Sequence, residues 1–306
     1  MYKRQQEHWL AENGADCVFG VNHHYPAGDV PQVIYHLNVL RFEREKKPFW
    51  TGGEVSDRLR DWRARISLEK AQANLFESEM LRGIAEKTLP EIREPQVVYI
   101  GLDDRSPASK TKVGEHLGPL ILAVTSEAPH KDNATLIRIV SELKSRRSDA
   151  NWHLKIAGGD REGFADLKAL ATDLGIAERI EYLGFVDHDH LQQLGKQAHC
   201  LVTTSLVESF CMVALEAMSW GCPVVVTNVS SMPESVGEAG LLAKPSDPAD
   251  FAIQVLKLWE DQRLRETMIA RGYKRAALMT WTNAARSVEA VFRDVIAQAG
   301  TRARTG

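Results

Sequence analysis

The chain has 306 residues, 44% of them hydrophobic and 26% charged, the balance of an ordinary globular protein whose length suits two domains. A net charge of -3 offers no large cationic surface, and the basic clusters at 41–47 and 58–65 are interleaved with acids, so no nucleic-acid partner is expected. Cys17, Cys200, Cys211 and Cys222 lie in or beside apolar runs without C-x-x-C spacing, which favours free buried thiols in a reducing compartment over disulfides or zinc.

The first residues, MYKRQQEHWL, contain no apolar signal core, and no run is long enough to span a bilayer. A cytoplasmic protein is expected, with any membrane contact peripheral and on the inner face. Strand-like runs at 17–21, 33–39, 74–76 and 97–100, with helical patterns near 56–73 and 79–87, make roughly half a Rossmann-type domain. No glycine-rich βα turn precedes them. The stretch 104–118, rich in Pro, Ser, Lys and Gly, reads as a linker.

Beyond it, apolar runs alternate with helical patterns, the signature of a parallel sheet covered on both faces. Strands are expected at 120–124, 152–157, 180–183, 200–204, 223–227 and 240–243, and helices at about 133–145, 163–174, 188–197, 209–220 and 248–260. A last helix at 284–297 follows a break at 279–282 and is placed to cross back to the first domain. The expected division is therefore 1–115, 116–283 and 284–306.

In an open parallel sheet the ligand crevice lies beyond the carboxyl ends of the strands. The loops there carry the unusual residues: TSEAPHKDN with Lys131, then Gly158 and Gly159, then Gly184, Phe185 and Val186, then SLVES leading into ESFCMVALEAMSW. Glu216 is a lone carboxylate in an otherwise apolar helix, a costly placement unless something pairs with it. Glu208 sits where that helix is expected to begin, so the amides of Phe210, Cys211 and Met212 would face an anion. Eight helical residues would separate the two acids by about 12 Å and about 80° around the axis. That distance suits a long ligand lying along the helix.

The E-x7-E of Glu208 and Glu216 closely resembles the donor site of retaining GT-B fold glycosyltransferases of the family 4 type, the glycosyl transferases group 1. The resemblance runs in order through ILAVTSEAPHKDNATLI, LKIAGGD, IEYLGFVDHDHL, ESFCMVALEAMSWGCPVVVTN, SSMPESVGEAGLLAKPSDP and MTWTNAARSVEAVF. PQVIYHLNV, LFESEML and VVYIGLDD look, less closely, like the later half of that family's N-terminal acceptor domain. The implied fold is α/β, two Rossmann-like domains facing a cleft, the N-terminal one incomplete because about two βα units are missing before Ala15. Such a gap would leave a sheet edge bare: either the chain is partial, or a partner or a second copy in a homo-oligomer covers that surface.

Carried over by position, the resemblance gives Glu216 the ribose hydroxyls of a nucleotide diphosphate sugar and Glu208 the hydroxyls of the transferred hexose. Lys131 would neutralise the diphosphate beside the amides of Cys211, Met212 and Val213, with Ser209 and Phe210 leading into them. Phe185 and Val186 would lie near the base, Gly158 in the neighbouring turn, and His36 would face the donor sugar as a third catalytic residue beside Glu208 and Lys131. The implied reaction is transfer of a hexose to a saccharide or lipid-linked acceptor with retention, with no metal and no further cofactor.

Two positions depart from the family pattern. Thr125 and Ser126 stand where many members have Gly-Arg, so one cation is lost, and His130 is the candidate to replace it when protonated. Cys211 stands where a glycine is usual, so its thiol must turn away from a phosphate.

Each residue also has a plainer reading: Glu216 as a core carboxylate bonded to an amide, Glu208 and Lys131 as helix-start and surface residues, His36 as an ordinary strand histidine. The alternative for the whole chain is a truncated or degenerate nucleotide-binding relative that serves as a partner subunit without transferase activity. His23 with His24, and His188 with His190, lack a companion set at ligand spacing, so no metal site is expected. The two glycines at 158 and 159 lack the G-x-G-x-x-G spacing of a nicotinamide enzyme.

Overall fold

The structure, a computed structural model, describes residues 8–10, 12–22, 28–37, 62–63, 65–102, 119–160 and 163–305. His23, His24, the 41–47 cluster, most of the 58–65 cluster, the first part of the 56–73 helix and the 104–118 linker lie outside the described residues. The chain divides into two units, Met1–Gly101 with Trp281–Gly306, and Leu102–Thr280. The boundaries thus fall at 101/102 and 280/281 instead of 115/116 and 283/284. Leu102 is held by Thr280, with which it forms a parallel bridge, and by the Met279 carbonyl, which accepts its amide at 2.8 Å.

The first unit holds a parallel sheet of four strands in sequential order: β1 (Val18–Val21), β2 (Gln32–His36), β3 (Ala73–Phe76) and β4 (Pro95–Val97). Every residue of β2 and β3 is buried, as expected for central parallel strands covered on both faces. Helix α1 (Glu79–Thr88) follows β3, its start fixed by Ser78, whose hydroxyl accepts the Leu81 amide at 3.1 Å. β4 lies at 95–97 where the sequence suggested 97–100. It is an edge strand that opens with Pro95, and an edge has no need of the missing N–H. The last helix of the chain, α9 (Trp281–Thr305), joins this unit, laying Ala284, Val288, Val291, Phe292 and Val295 against Val33, Tyr35 and Leu75.

The second unit holds six parallel strands: β5 (Leu120–Val124), β6 (His153–Ala157), β7 (Ile180–Gly184), β8 (Cys200–Thr203), β9 (Val224–Thr227) and β10 (Gly240–Ala243). Their order across the sheet is β10-β9-β8-β5-β6-β7, so the winding reverses between β5 and β8. Connections on either side of that reversal leave in opposite directions, and a crevice opens at the carboxyl ends of the two strands.

The helices between them are α2 (Asn133–Arg146), α3 (Ala165–Asp173), α4 (His188–Gln197), α5 (Met212–Ser219), α6 (Met232–Val236), α7 (Pro248–Glu260) and α8 (Gln262–Leu278). Ile139, Val140 and Leu143 of α2 and Phe251, Val255 and Leu258 of α7 close one core with Ile121, Leu154, Ile156, Val202 and Val225 of the strands. Two helices have no counterpart in the sequence reading. α6 is five residues long, and α8 buries only Met268, Gly272 and Ala276, a narrow stripe of mostly small residues that gives little apolar periodicity. Among the described residues no helix is long and apolar enough to cross a membrane.

At the amino-end side of this sheet, Trp152, His199 and Trp259 form an aromatic cluster, with the His199 ring 5.2 Å from Trp259 and 6.3 Å from Trp152. Burial lowers the His199 pKa to about 4, helped by the nearby Arg265 cation. The folded protein therefore holds this ring neutral, while the unfolded chain takes up a proton near the ordinary value of 6.5. The stability from the neutral ring is complete above that value and is lost as the pH falls from 6.5 towards 4, by about 3 kcal/mol at the lower end. Urea denaturation at pH 7 and pH 4 should show this loss in the wild type and a clearly smaller one in His199→Gln; equal losses in both would show that His199 is not the group responsible.

Candidate functional site

The loop after β5 and the loop after β8 meet at the reversal of the sheet. Past Thr125 and Ser126, residues Pro129–Lys131 form one 3-10 turn, and Asp132 turns left-handed (φ 48°) before α2 begins. Side chains of the loops tie this path down. The Thr125 hydroxyl donates to Asn133 Oδ1 at 2.8 Å, and Asn133 Nδ2 donates to the Ser126 carbonyl at 2.7 Å. From the β8 side, the Thr204 hydroxyl lies 2.9 Å from the Lys131 carbonyl and 3.0 Å from that of Asp132, and the Leu206 amide donates to the His130 carbonyl at 2.7 Å. The backbone at Lys131 is thereby fixed, and its side chain is aimed across the crevice.

It meets Glu208. Lys131 Nζ lies 2.5 Å from Glu208 Oε1, and the two side chains are 22% and 21% exposed. The pair borders an open cavity of about 280 Å³ that takes in Val124, Thr125, Ser126, Phe210, Cys211, Met212 and Val213. Most of the expected donor-site residues thus converge on one space. His130, Gly158, Phe185, Val186, Ser209 and Glu216 are not among the described residues lining it. Among the described residues no group of three or more His, Cys, Asp or Glu could hold a metal ion.

Helix α5 begins at Met212, with Cys211 as its N-cap, not at 209. Glu208 therefore precedes the helix by a short irregular segment, and the purely helical spacing expected between Glu208 and Glu216 does not apply. The amides are also differently employed. The Cys211 amide donates to the Ser235 hydroxyl at 3.0 Å and the Met212 amide to the Phe210 carbonyl at 3.1 Å, so neither stands open to an anion as expected. Phe210 and Val213, the other residues whose amides were expected to serve, also line the cavity. The Cys211 thiol is buried, and burial, with Glu208 adding to it, pushes its pKa up to about 12.

Glu216 stands on the half-buried face of α5 and not in the core. Met212, Val213, Glu216 and Ser219 are the half-buried positions of α5, while Ala214, Leu215, Ala217 and Met218 are buried. These positions recur at three- and four-residue steps, so Glu216 belongs to the face that Met212 and Val213 present to the cavity. The His130 pKa is lowered, first by burial and then by the Lys131 charge, with Glu208 opposing. Both causes disfavour the charged ring that would stand in for the missing cation. Phe185, after β7, is 89% exposed, and Val186 beside it is half-buried. His36 lies in the first unit, buried on β2, with Nε2 2.9 Å from Asn74 Oδ1 and its ring stacked on Phe76.

Sequence reasoning passed over four residues. Glu127 accepts the Asp160 amide and lies over Gly159 and Gly163, where a Cβ would approach its carboxylate to 2.7 Å. Ser230, Ser231 and Ser235, from the loop after β9 and from α6, bond the backbone of Glu208 and Cys211. Their only trace in the sequence is the S-S-x3-S spacing, which local patterns read as an ordinary turn.

The chain matches the model of the family described as glycosyl transferases group 1 over residues 108–275, more than half its length. The O-antigen chain mannosyltransferase B of Escherichia coli is 37% identical over 145 residues, covering 47% of this chain and 34% of that protein. The D-inositol 3-phosphate glycosyltransferase of Corynebacterium diphtheriae is 32% identical over 169 residues, 54% of this chain and 40% of that one. The match thus spans well under half the length of these curated relatives.

Among solved structures, the sucrose-phosphate synthase of Thermosynechococcus elongatus superposes with a TM-score of 0.77 at 17% identity, over 97% of this chain and 78% of the other. Anabaena Alr3699/HepE in complex with UDP gives 0.74 at 19% identity, over 94% and 81%. The chain belongs to the glycosyl transferases group 1, and its fold is the parallel α/β architecture of GT-B glycosyltransferases.

Gly158 lies against the backbone of Thr125, one of the cavity residues. It adopts φ +93°, its amide donates to the Gly184 carbonyl at 2.7 Å, and a Cβ there would overlap the Thr125 carbonyl oxygen. Both the conformation and the contact exclude a side chain. Gly158→Ala should lower stability by about 2–4 kcal/mol in urea denaturation, because strain and a main-chain clash add together. An unchanged midpoint would mean that the loop after β5 yields freely.

Proposed function

We propose that the cavity of the second unit binds a nucleotide diphosphate sugar, and that the protein transfers its hexose to a saccharide or lipid-linked acceptor, with retention at the anomeric carbon and without a metal ion. The observation that carries this reading is the Lys131–Glu208 pair at the point where the sheet reverses, on the wall of a 280 Å³ cavity. Family membership supports the class of reaction, and the likeness to a fold that holds UDP supports the class of donor.

The roles follow from charge and position. Lys131 meets the diphosphate and stabilises the negative charge that grows on it as the bond to the sugar breaks; a preorganised cation in a partly dry site is well suited to this. The Val213 amide, near the amino end of α5, adds a neutral donor. Glu208 accepts hydroxyls of the hexose, and Glu216, four residues beyond Met212 on the same face, accepts those of the ribose. The exposed Phe185 ring, with Val186, offers an apolar surface to the base. The reaction belongs in the cytoplasm, with peripheral contact at the inner membrane face if the acceptor is lipid-linked.

Calorimetric titration with UDP, GDP and ADP in the presence of a chelator should show binding of at least one without magnesium. Lys131→Met should weaken that binding by about tenfold or more, the loss of a charge-assisted contact. Glu216→Ala should weaken nucleoside diphosphate binding, whereas Glu208→Ala should chiefly lower turnover of the nucleotide sugar. Failure to bind any of the three would remove the donor-site reading.

A further inference from the structure

The loop after β9 grips the residue that carries the proposed sugar-binding carboxylate. Ser230 Oγ accepts the Glu208 amide at 3.1 Å and donates to the Glu208 carbonyl at 2.7 Å, a double role that a hydroxyl can fill. The Ser231 hydroxyl donates to the same carbonyl at 2.8 Å. Three residues along the chain, Cys211 is held in the same manner: its amide donates to Ser235 Oγ, which itself donates back to the Ser231 carbonyl at 2.9 Å. Ser231 and Ser235 are fully buried. Ser230 adopts φ +57°, a left-handed conformation that a residue with a Cβ enters only when its surroundings impose it.

Buried serines often do no more than satisfy backbone groups, and these do that. Their targets indicate more. The bonds end on both flanks of an irregular turn that no helix or strand would otherwise hold, since α5 starts only at Met212. The Lys131 turn is bonded to the loop that leads into Glu208, by the Thr204 hydroxyl on the Lys131 carbonyl and the Leu206 amide on the His130 carbonyl. A 2.5 Å contact between side chains 77 residues apart requires both anchors to be fixed, and at Glu208 itself the groups bonded to the amide and the carbonyl are hydroxyls from a third loop.

We propose that Ser230 and Ser231 are positioning residues, which clamp the Glu208 peptide from both its amide and its carbonyl and so set its carboxylate against Lys131 and the donor sugar. The sugar part of this claim rests on the donor-site reading above; the placement of the carboxylate against Lys131 does not.

The test compares wild type, Glu208→Gln, the double variant Ser230→Ala/Ser231→Ala, and the triple combination, each first shown to melt cooperatively. The first readout is acylation of Lys131 by acetic anhydride, followed by mass spectrometry with Lys257 as internal reference. Labelling should rise about fivefold in Glu208→Gln and in the double variant, and no further in the triple, because the serines act through Glu208.

The second readout is calorimetric: the Kd of UDP relative to UDP-glucose, and of GDP relative to GDP-mannose. Loss of the clamp should weaken the sugar conjugate about fivefold relative to the bare nucleoside diphosphate, whose own Kd should stay within about threefold of wild type. Wild-type labelling and an unchanged ratio in the folded double variant would overturn the proposal, as would serine and Glu208 effects that multiply independently. If the double variant does not fold, Ser230→Gly removes one hydroxyl while relieving the left-handed strain, and should show the same changes at about twofold; no change there overturns the claim. If the wild type binds none of the four probes, the donor-site reading falls and the labelling result alone decides the clamp.

Discussion

An ammonium and a carboxylate held 2.5 Å apart at the reversal of a parallel sheet are the contact around which the loops of the second unit are arranged. As a source of stability the pair counts for little. Each side chain keeps about a fifth of its surface in solvent, and partly exposed ion pairs contribute on the order of 1 kcal/mol or less. Its value lies in keeping two opposite charges at the rim of a cavity without leaving either one desolvated alone, a condition far more costly than the pair itself. An anion entering the cavity meets a cation already in place, and a hydroxyl donor meets an acceptor whose backbone has no freedom to retreat.

That arrangement explains why the surrounding loops carry so many short polar side chains. Thr125 and Asn133 brace the exit from β5, Thr204 braces the turn that carries Lys131, and three serines brace the segment that carries Glu208. Parallel strands deliver their loops to a common edge but cannot fix the loops' conformations, because the ladder ends with the last strand residue. Side-chain hydroxyls and amides take over from there, bonding backbone groups that would otherwise be buried without partners. Gly158 belongs to the same construction: it lets the loop after β6 lie directly on the Thr125 carbonyl, and no larger residue could take its place.

The sheet of the second unit was legible because most of its strands are apolar runs, with β6 and β7 interrupted by His153, Lys155 and Glu181. LILAV occupies β5 from end to end, and the boundaries of the other five shift by one residue at most. The ligand-side loops followed from topology, and Lys131, Glu208 and the residues 210–213 were recognisable from a motif and its order. The start of α5 was not. ESFCMVALEAM reads as unbroken helix because its apolar residues continue back to Phe210, whereas the actual start at Met212 has no capping side chain of its own and is set by Ser235, 24 residues away. No local pattern records a cap supplied from another loop. The surroundings of His130 were hidden for a related reason: beside a lysine it looks like a second cation, and only the fold shows the burial that lowers its pKa. Helix α8 escaped because a helix that meets its neighbours through Gly272 and Ala276 has no broad apolar stripe.

The first unit was harder to read because its sheet is built from strands of three to five residues, and because its core is not contiguous in the chain. Val33, Tyr35 and Leu75 pack against Val291 and Val295, residues separated from them by the whole of the second unit. The entropy of closing such a loop grows only slowly with its length, so the separation costs the folded state little more than a short connection would. It matters more for the order of events. Residues 102–280 contain all the strands of their own sheet, while the four-stranded sheet lacks part of its apolar cover until α9 has been made. The helix that ends the chain is thus a structural part of the unit that begins it, and the two ends of the sequence must be considered as one body when either is altered.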